Sequence, residues 1–217
     1  MSPLVIGLTG GIGAGKSTAA TLLKECGANV IEVDEIGRDL LDQDGDARER
    51  IVKQFGSSIL SSSGEIDRKK LGRIVFSDSG HLEQLEAISH PAINRVLKTL
   101  IGEQGSGIVI LDMAILVEKQ LAYFAGAPMY HKVVVVESPT GLRVNRLLQR
   151  GLSEKEIEER IGAQATDAER AQVADYVIRN SGSIEDLRRA IKNFWELIEI
   201  WRIDHTNDCM DRESGNR

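Results

Sequence analysis

Residues 4–17 read LVIGLTGGIGAGKS, and the fold follows from this stretch. Leu4-Val5-Ile6-Gly7-Leu8-Thr9 is a continuous apolar run without alternation, the pattern of a central parallel strand buried on both faces. Gly10-Gly11-Ile12-Gly13-Ala14-Gly15-Lys16-Ser17 follows at once and matches G-x-x-x-x-G-K-[ST], with helical spacing beginning at Lys16. Gly11, Gly13 and Gly15 let the backbone bend tightly and turn successive N–H groups inward as an anion-binding nest. The helix that starts near Gly15 adds the positive end of its dipole. Lys16 then reaches the β- and γ-phosphates, the Ser17 hydroxyl is a ligand for nucleotide-bound Mg²⁺, and Thr18 is placed for the α-phosphate. Gly11, Ile12, Gly13, Ala14, Gly15, Lys16, Ser17 and Thr18 are therefore the predicted nucleoside triphosphate site.

Outward from the loop, Ala19, Leu22 and Leu23 continue a helix that Gly27 stops. Further strands are expected at Ala28–Val33, Ile108–Leu111, Lys132–Val136 and Tyr176–Ile178. Helices are expected around Leu40-Leu41, Ala47–Phe55, Arg68–Phe76 behind an Asp67 N-cap, and Leu82–Leu100 with a break at His90-Pro91. Ser57–Gly64 reads as a loop. Thr140–Arg150, Ser153–Ala163 and a long stripe from Ile184 to Trp201 complete the helices. Strands alternating with helices predict an α/β fold, a parallel five-stranded sheet covered on both faces. About 60 residues without a strand, far beyond a normal crossover, mark a helical insertion. The predicted division is a core of 1–37, 105–137 and 174–204, an insertion over 38–104, a segment over 138–173, and a polar, frayed tail over 205–217.

Composition narrows the partners. The 217 residues are 41% hydrophobic and 28% charged, enough to bury a core. A net charge of −6 argues against a nucleic-acid or acidic-membrane binder, and 4% aromatic content argues against base-stacking platforms. No apolar stretch reaches the length of a membrane span, and MSPLVIGLTGG lacks a basic leader region, so a cytoplasmic location is expected. Cys26 and Cys209 build neither a disulfide framework nor a four-ligand zinc site.

A guanine switch needs N-K-x-D at a strand end, and the sequence has none. A kinase acting on a small molecule accounts for more of the chain, with a nucleoside or nucleotide kinase as a near alternative and a regulatory ATP-binding module as the alternative from another class. Ligands bind at the carboxyl ends of parallel strands, where Asp34 is expected to accept the proton of an acceptor hydroxyl or else to cap the next helix. Asp112 ends the third strand in the same layer, as a partner for a Mg²⁺-bound water or as a plain strand-end turn. Arg143, Arg146 and Arg150 recur at three and four, a row suited to a lid over phosphates, with Arg146 and Arg150 the favoured pair. Solvated pairs such as Lys155 with Glu159 compete with that reading.

Together these residues resemble the dephospho-CoA kinase family. The likeness runs through the loop, Asp34-Glu35-Ile36-Gly37-Arg38, Gly64-Glu65-Ile66-Asp67-Arg68, His90-Pro91-Ala92-Ile93 and Arg146-Leu147-Leu148-Gln149-Arg150. It continues through Arg160-Ile161-Gly162-Ala163-Gln164, Ala174-Asp175-Tyr176-Val177-Ile178 and Asn180-Ser181-Gly182. The resemblance implies a P-loop kinase fold and ATP-dependent phosphorylation of the ribose 3′-hydroxyl of dephospho-CoA, which gives coenzyme A. It also implies Mg²⁺ as cofactor, Asp34 as base with Lys16, Arg146 and Arg150 in the catalytic set, and a lid over 138–173. Arg38, Asp67, Arg68 and His90 become substrate-side candidates in an insertion that receives the CoA portion, and Asn180 an adenine-side one. A monomer or small homo-oligomer is expected. The chain departs from the family pattern at Glu32-Val33-Asp34, where D-A-D is common, and at Ala114-Ile115-Leu116-Val117-Glu118, where P-L-L-F-E is common.

Overall fold

A computed structural model describes residues 2–43, 45–119 and 121–214. The chain forms two compact units, Met1–Glu32 with Leu100–Arg217, and Val33–Thr99.

The first unit is built on a parallel sheet. Its strands are β1 (Leu4–Thr9), β2 (Asn29–Glu32), β3 (Ile108–Asp112), β6 (Lys132–Glu137) and β7 (Tyr176–Arg179), in the order β2-β3-β1-β6-β7. The intervening β4 (Tyr123–Phe124) and β5 (Ala127–Pro128) form a separate small hairpin that the periodicity did not show. The central strands are buried through both faces. Leu4, Ile6, Leu8, Ile110, Val134 and Val136 join one core, while Val5, Val109, Leu111 and Val135, which alternate with them, are equally buried. Helix α1 (Lys16–Cys26) packs Ala19, Ala20, Leu22 and Leu23 into that core and ends on Gly27, whose φ of 115° suits a left-handed cap.

The last helix, α9 (Ile184–Ser214), corrects the expected tail. Leu187, Ile191, Phe194 and Ile198 are core as the stripe predicted, but the helix runs on past residue 204. Its extension is held where the imidazole of His205 lies 4.2 Å from that of His131, centroid to centroid, and the Ser2 hydroxyl sits 3.3 Å from His205 Nε2. His131 is itself fixed, since its Nδ1 accepts from the Val5 N–H at 3.0 Å. Three helices follow β6: α6 (Thr140–Gln149), α7 (Glu154–Gly162) and α8 (Asp167–Val173). Helix α8 was not anticipated, although its Thr166–Glu169 capping box is a sequence signal.

The second unit is helical: α2 (Val33–Gln43), α3 (Gly45–Phe55), α4 (Arg68–Val75) and most of α5 (Ser79–Gly102). Ile51, Ile59, Ile66, Leu71, Val75 and Ile88 form its core. Three expectations change. The second strand stops at Glu32, so Val33 and Asp34 open a helix. Ser57–Gly64 contains a short 3-10 turn over Ser57–Ile59, and Leu60 and Ile66 bridge across its end. Helix α5 runs unbroken through Pro91. Proline inside a helix costs about 3 kcal/mol, and burial of Ile88, Ala92, Ile93 and Leu97 on either side outweighs it. None of the described helices is long and apolar enough to cross a membrane.

Candidate active site

The phosphate-binding loop emerges from β1 and enters α1 as the sequence predicts. Gly13 and Gly15 take φ of 78° and 97°, left-handed values that an L side chain resists. No side chain caps α1, so its first N–H groups have no side-chain acceptor. They lie on a cavity of about 250 Å³ lined by Gly11, Ile12, Gly13, Gly15, Lys16, Ser17 and Thr18, with Ala114, Arg150 and Gln164 opposite. A neighbouring cavity of about 290 Å³ joins Gly15, Thr18, Arg146 and Arg150 to Asn180 and Gly182. A methyl group on Gly15 would run into the Asn180 side-chain amide in addition to its backbone strain. Gly15→Ala is therefore expected to weaken ATP binding at least about tenfold by calorimetric titration. An unchanged affinity would contradict this geometry.

Lys16 Nζ pairs with Asp112 Oδ1 at the end of β3, with side-chain exposures of 15% and 7%. Asp112 thus faces the loop's lysine and is more than a strand-end turn.

The arginine row divides by depth. Arg143 is buried, donates from Nε to the Ile12 carbonyl at 2.9 Å and pairs with Asp167 at 3.1 Å. Arg146 donates to the carbonyls of Gly13 (3.2 Å) and Ala14 (3.4 Å), to Ser138 Oγ (3.1 Å) and to the Asn180 carbonyl (3.4 Å). Asn180 is buried and donates from Nδ2 to the Ala14 carbonyl at 2.8 Å. These three side chains hold the loop by its carbonyls, while two of its amides are already engaged, Ala14 N–H by the Gly11 carbonyl at 2.9 Å and Ile12 N–H by Gln164 at 2.8 Å. Arg150 is exposed and lines both cavities, while Arg146 lines the second. The competing Lys155–Glu159 pair also forms, at 3.9 Å on the surface.

The second unit holds the remaining candidates. Asp34 lies exposed in the first turn of α2, where the helix dipole favours a carboxylate. Arg38, on the same helix, is exposed and its guanidinium lies 3.3 Å from Glu35, while its carbonyl accepts from the exposed Arg68 at 2.8 Å. Asp67 caps α4 through Oδ1, accepting from the Lys69 and Lys70 amides at 3.0 and 3.1 Å. The Lys70 amide bond, above all, holds its carboxyl below the ordinary aspartate range. The charged cap is complete above that ordinary range and lost as pH falls through the lowered value. His90 is half-buried within α5.

The family model described as dephospho-CoA kinase matches residues 4–186. The chain belongs to the dephospho-CoA kinase family. A dephospho-CoA kinase from Thermobifida fusca is 39% identical over 198 residues, which cover 90% of this chain and 96% of that one. One from Geobacillus kaustophilus is 40% identical over 203 residues, covering 90% and 98%. The solved dephospho-CoA kinase from Campylobacter jejuni superposes with a TM-score of 0.65 at 27% identity, over 90% of this chain and 97% of that chain. Membership of this family makes the chain a kinase with ATP as co-substrate.

Gln164 and Glu118, which the sequence offers only within family motifs, and Arg170, which it does not single out, have definite partners around the loop. Gln164 Oε1 accepts from the Ile12 N–H at 2.8 Å. Glu118 Oε1 accepts from the Ala165 N–H at 2.8 Å and from Arg170 at 2.9 Å. Arg170, 1% exposed, also donates to the Ala165 carbonyl and lies 3.7 Å from Asp167. The order of charges along α8 gives no hint of the pairing with Glu118, which lies 52 residues away in sequence.

Proposed function

We propose that the chain transfers the γ-phosphoryl group of ATP to the ribose 3′-hydroxyl of dephospho-CoA, releasing ADP and coenzyme A. The observation that carries this reading is the loop whose carbonyls are held by Arg143, Arg146 and Asn180 and whose residues line the cavity, in a chain of this family. In the proposed reaction the 3′-oxygen forms a bond to the γ-phosphorus as the bond to the β,γ-bridging oxygen breaks. The hydroxyl proton passes to the Asp34 carboxylate. Lys16 sits against the transferring group, and the amides of Gly13 and of Gly15 to Ser17 hold the chain of phosphates. Arg150 and Arg146 neutralise charge that builds during transfer, and Asn180 borders the adenine side.

Mg²⁺ fits the donors present. Ser17 offers a hydroxyl at the cavity, and no group of three or more metal-binding side chains exists among the described residues. That suits an ion carried mainly by phosphate oxygens and water, which when bound neutralises the β- and γ-phosphates. The insertion over 38–104 receives the CoA portion, with Arg38, Asp67, Arg68 and His90 toward it, and 138–173 acts as the lid. We place the protein in the cytoplasm as a monomer or small homo-oligomer.

ADP release measured with and without dephospho-CoA tests the reading. Strong acceptor dependence is expected, and equal rates would overturn it. For Asp34→Asn, turnover is expected to fall about 10²- to 10⁴-fold while the ATP dissociation constant stays within about twofold. Full activity would remove Asp34 as base.

A further inference from the structure

The two peptide units that flank Ile12 are each gripped by a side chain from the 138–173 segment. The Ile12 carbonyl accepts from Arg143 and the Ile12 N–H donates to Gln164, at 2.9 and 2.8 Å. Gln164 lies between α7 and α8 in a stretch without regular backbone pairing of its own. That stretch is nevertheless fixed. The Ala165 N–H donates to Glu118, the Ala165 carbonyl accepts from Arg170, and Arg170 in turn pairs with Glu118. Asp167, one helical turn before Arg170, pairs with Arg143 and so closes the circuit back to the Ile12 carbonyl.

We propose that Gln164 is a positioning residue for phosphoryl transfer: its side-chain carbonyl holds the Ile12 amide and ties the orientation of the phosphate loop to the 163–170 segment. The argument is one of inventory. Ile12 is the residue between Gly11 and Gly13, the flexible part of the loop, where no helical hydrogen bond fixes the peptide plane. The Ile12 N–H belongs to the Gly11–Ile12 peptide and the Ile12 C=O to the Ile12–Gly13 peptide, so the two bonds hold the planes on both sides of the Ile12 Cα and present the Gly13 to Ser17 amides that follow in one arrangement. A side-chain amide suits the task because its oxygen accepts the N–H without placing a negative charge beside the phosphates. Glu118 and Arg170 act one step further back, by holding the main chain that carries Gln164. The catalytic part of this inference rests on the kinase reading above, whereas the tie itself does not.

The test uses the full chain with Gln164→Met, which keeps the length of the side chain and removes the acceptor, and Gln164→Glu, which keeps the acceptor and adds charge. Three quantities are read: the exchange rate of the Ile12 amide by ¹⁵N NMR, Tm, and the separate kcat and KM values. For Gln164→Met, Ile12 exchange is expected to rise about tenfold and kcat to fall about tenfold, with KM for dephospho-CoA and Tm nearly unchanged. For Gln164→Glu, Ile12 should stay protected while KM for ATP rises, because the carboxylate repels the phosphates. Unchanged Ile12 exchange in Gln164→Met would overturn the tie. A kcat loss accounted for by unfolding, or a loss confined to KM for dephospho-CoA, would overturn the positioning role. If the native chain proves unable to phosphorylate dephospho-CoA, the acceptor assignment fails, and Ile12 exchange still decides the tie.

Discussion

Lys16→Ala is expected to abolish transfer, with kcat lower by about 10³-fold or more, because a positive charge set against the transferring phosphoryl group acts mainly in the transition state. The structure adds a second consequence. Lys16 is the partner of Asp112, and that carboxylate is only 7% exposed. Removing the ammonium leaves a nearly buried charge unpaired, so the single variant should also lose stability. The two effects separate in the double variant Lys16→Met/Asp112→Asn, which is expected to recover most of the lost Tm and none of the activity. Near-native turnover in either variant would remove Lys16 from the chemistry. A Tm loss that persists in the double variant would show that the ion pair is not its source.

The largest expected stability effect lies at Arg170. Its guanidinium is 1% exposed and donates to Glu118 and to the Ala165 carbonyl, while its Nε and Glu118 Oε2 are buried without a partner. Arg170→Met keeps the apolar stem and strips Glu118 of its counter-charge. Breaking a buried pair from one side costs about 3–5 kcal/mol, or roughly 6–20 °C in Tm for a chain of this size. Adding Glu118→Gln should restore part of the loss, because the orphaned charge is then gone. Thermal melts of the single and double variants check this, and a single-variant Tm within about 2 °C of native would contradict it. Because the pair carries Gln164, Arg170→Met should also accelerate Ile12 amide exchange at temperatures where the chain stays folded.

The sequence made the loop legible because its chemistry is local. The glycines at 11, 13 and 15, the lysine at 16 and the flanking strand and helix are written within 25 residues, and the left-handed backbone follows from them. The arginine row was legible as a helix face but not as a set of depths. Spacing cannot tell that Arg143 is buried under Ile12 while Arg150, two turns on, is exposed. Gln164 and Glu118 stood in the sequence only within family motifs, with no role attached, and Arg170 was silent, because their partners are set by tertiary packing and not by any repeat. Pro91 was read as a break because local propensity says so, and the apolar residues on both sides of it overrode that preference. Asp34 was placed at a strand end when the strand actually stops two residues earlier. Its position in the first turn of α2 gives the carboxylate a favourable dipole that neither expectation for it had included. The tail was judged by polarity alone, which misses that His131 and Ser2 offer His205 something to hold.

That last contact brings sequence-distant segments together: residue 2 and residue 205 touch at the end of β1 opposite the phosphate loop. The contact thus staples α9 to the start of β1. A linker that replaces the chain after His205 and runs to Ser2, with a new opening cut in the Gly105-Ser106-Gly107 turn before β3, would reorder the gene without moving the strands that carry the site. Such a permuted chain would begin on β3 and still bring Lys16 and Asp112 to the same place.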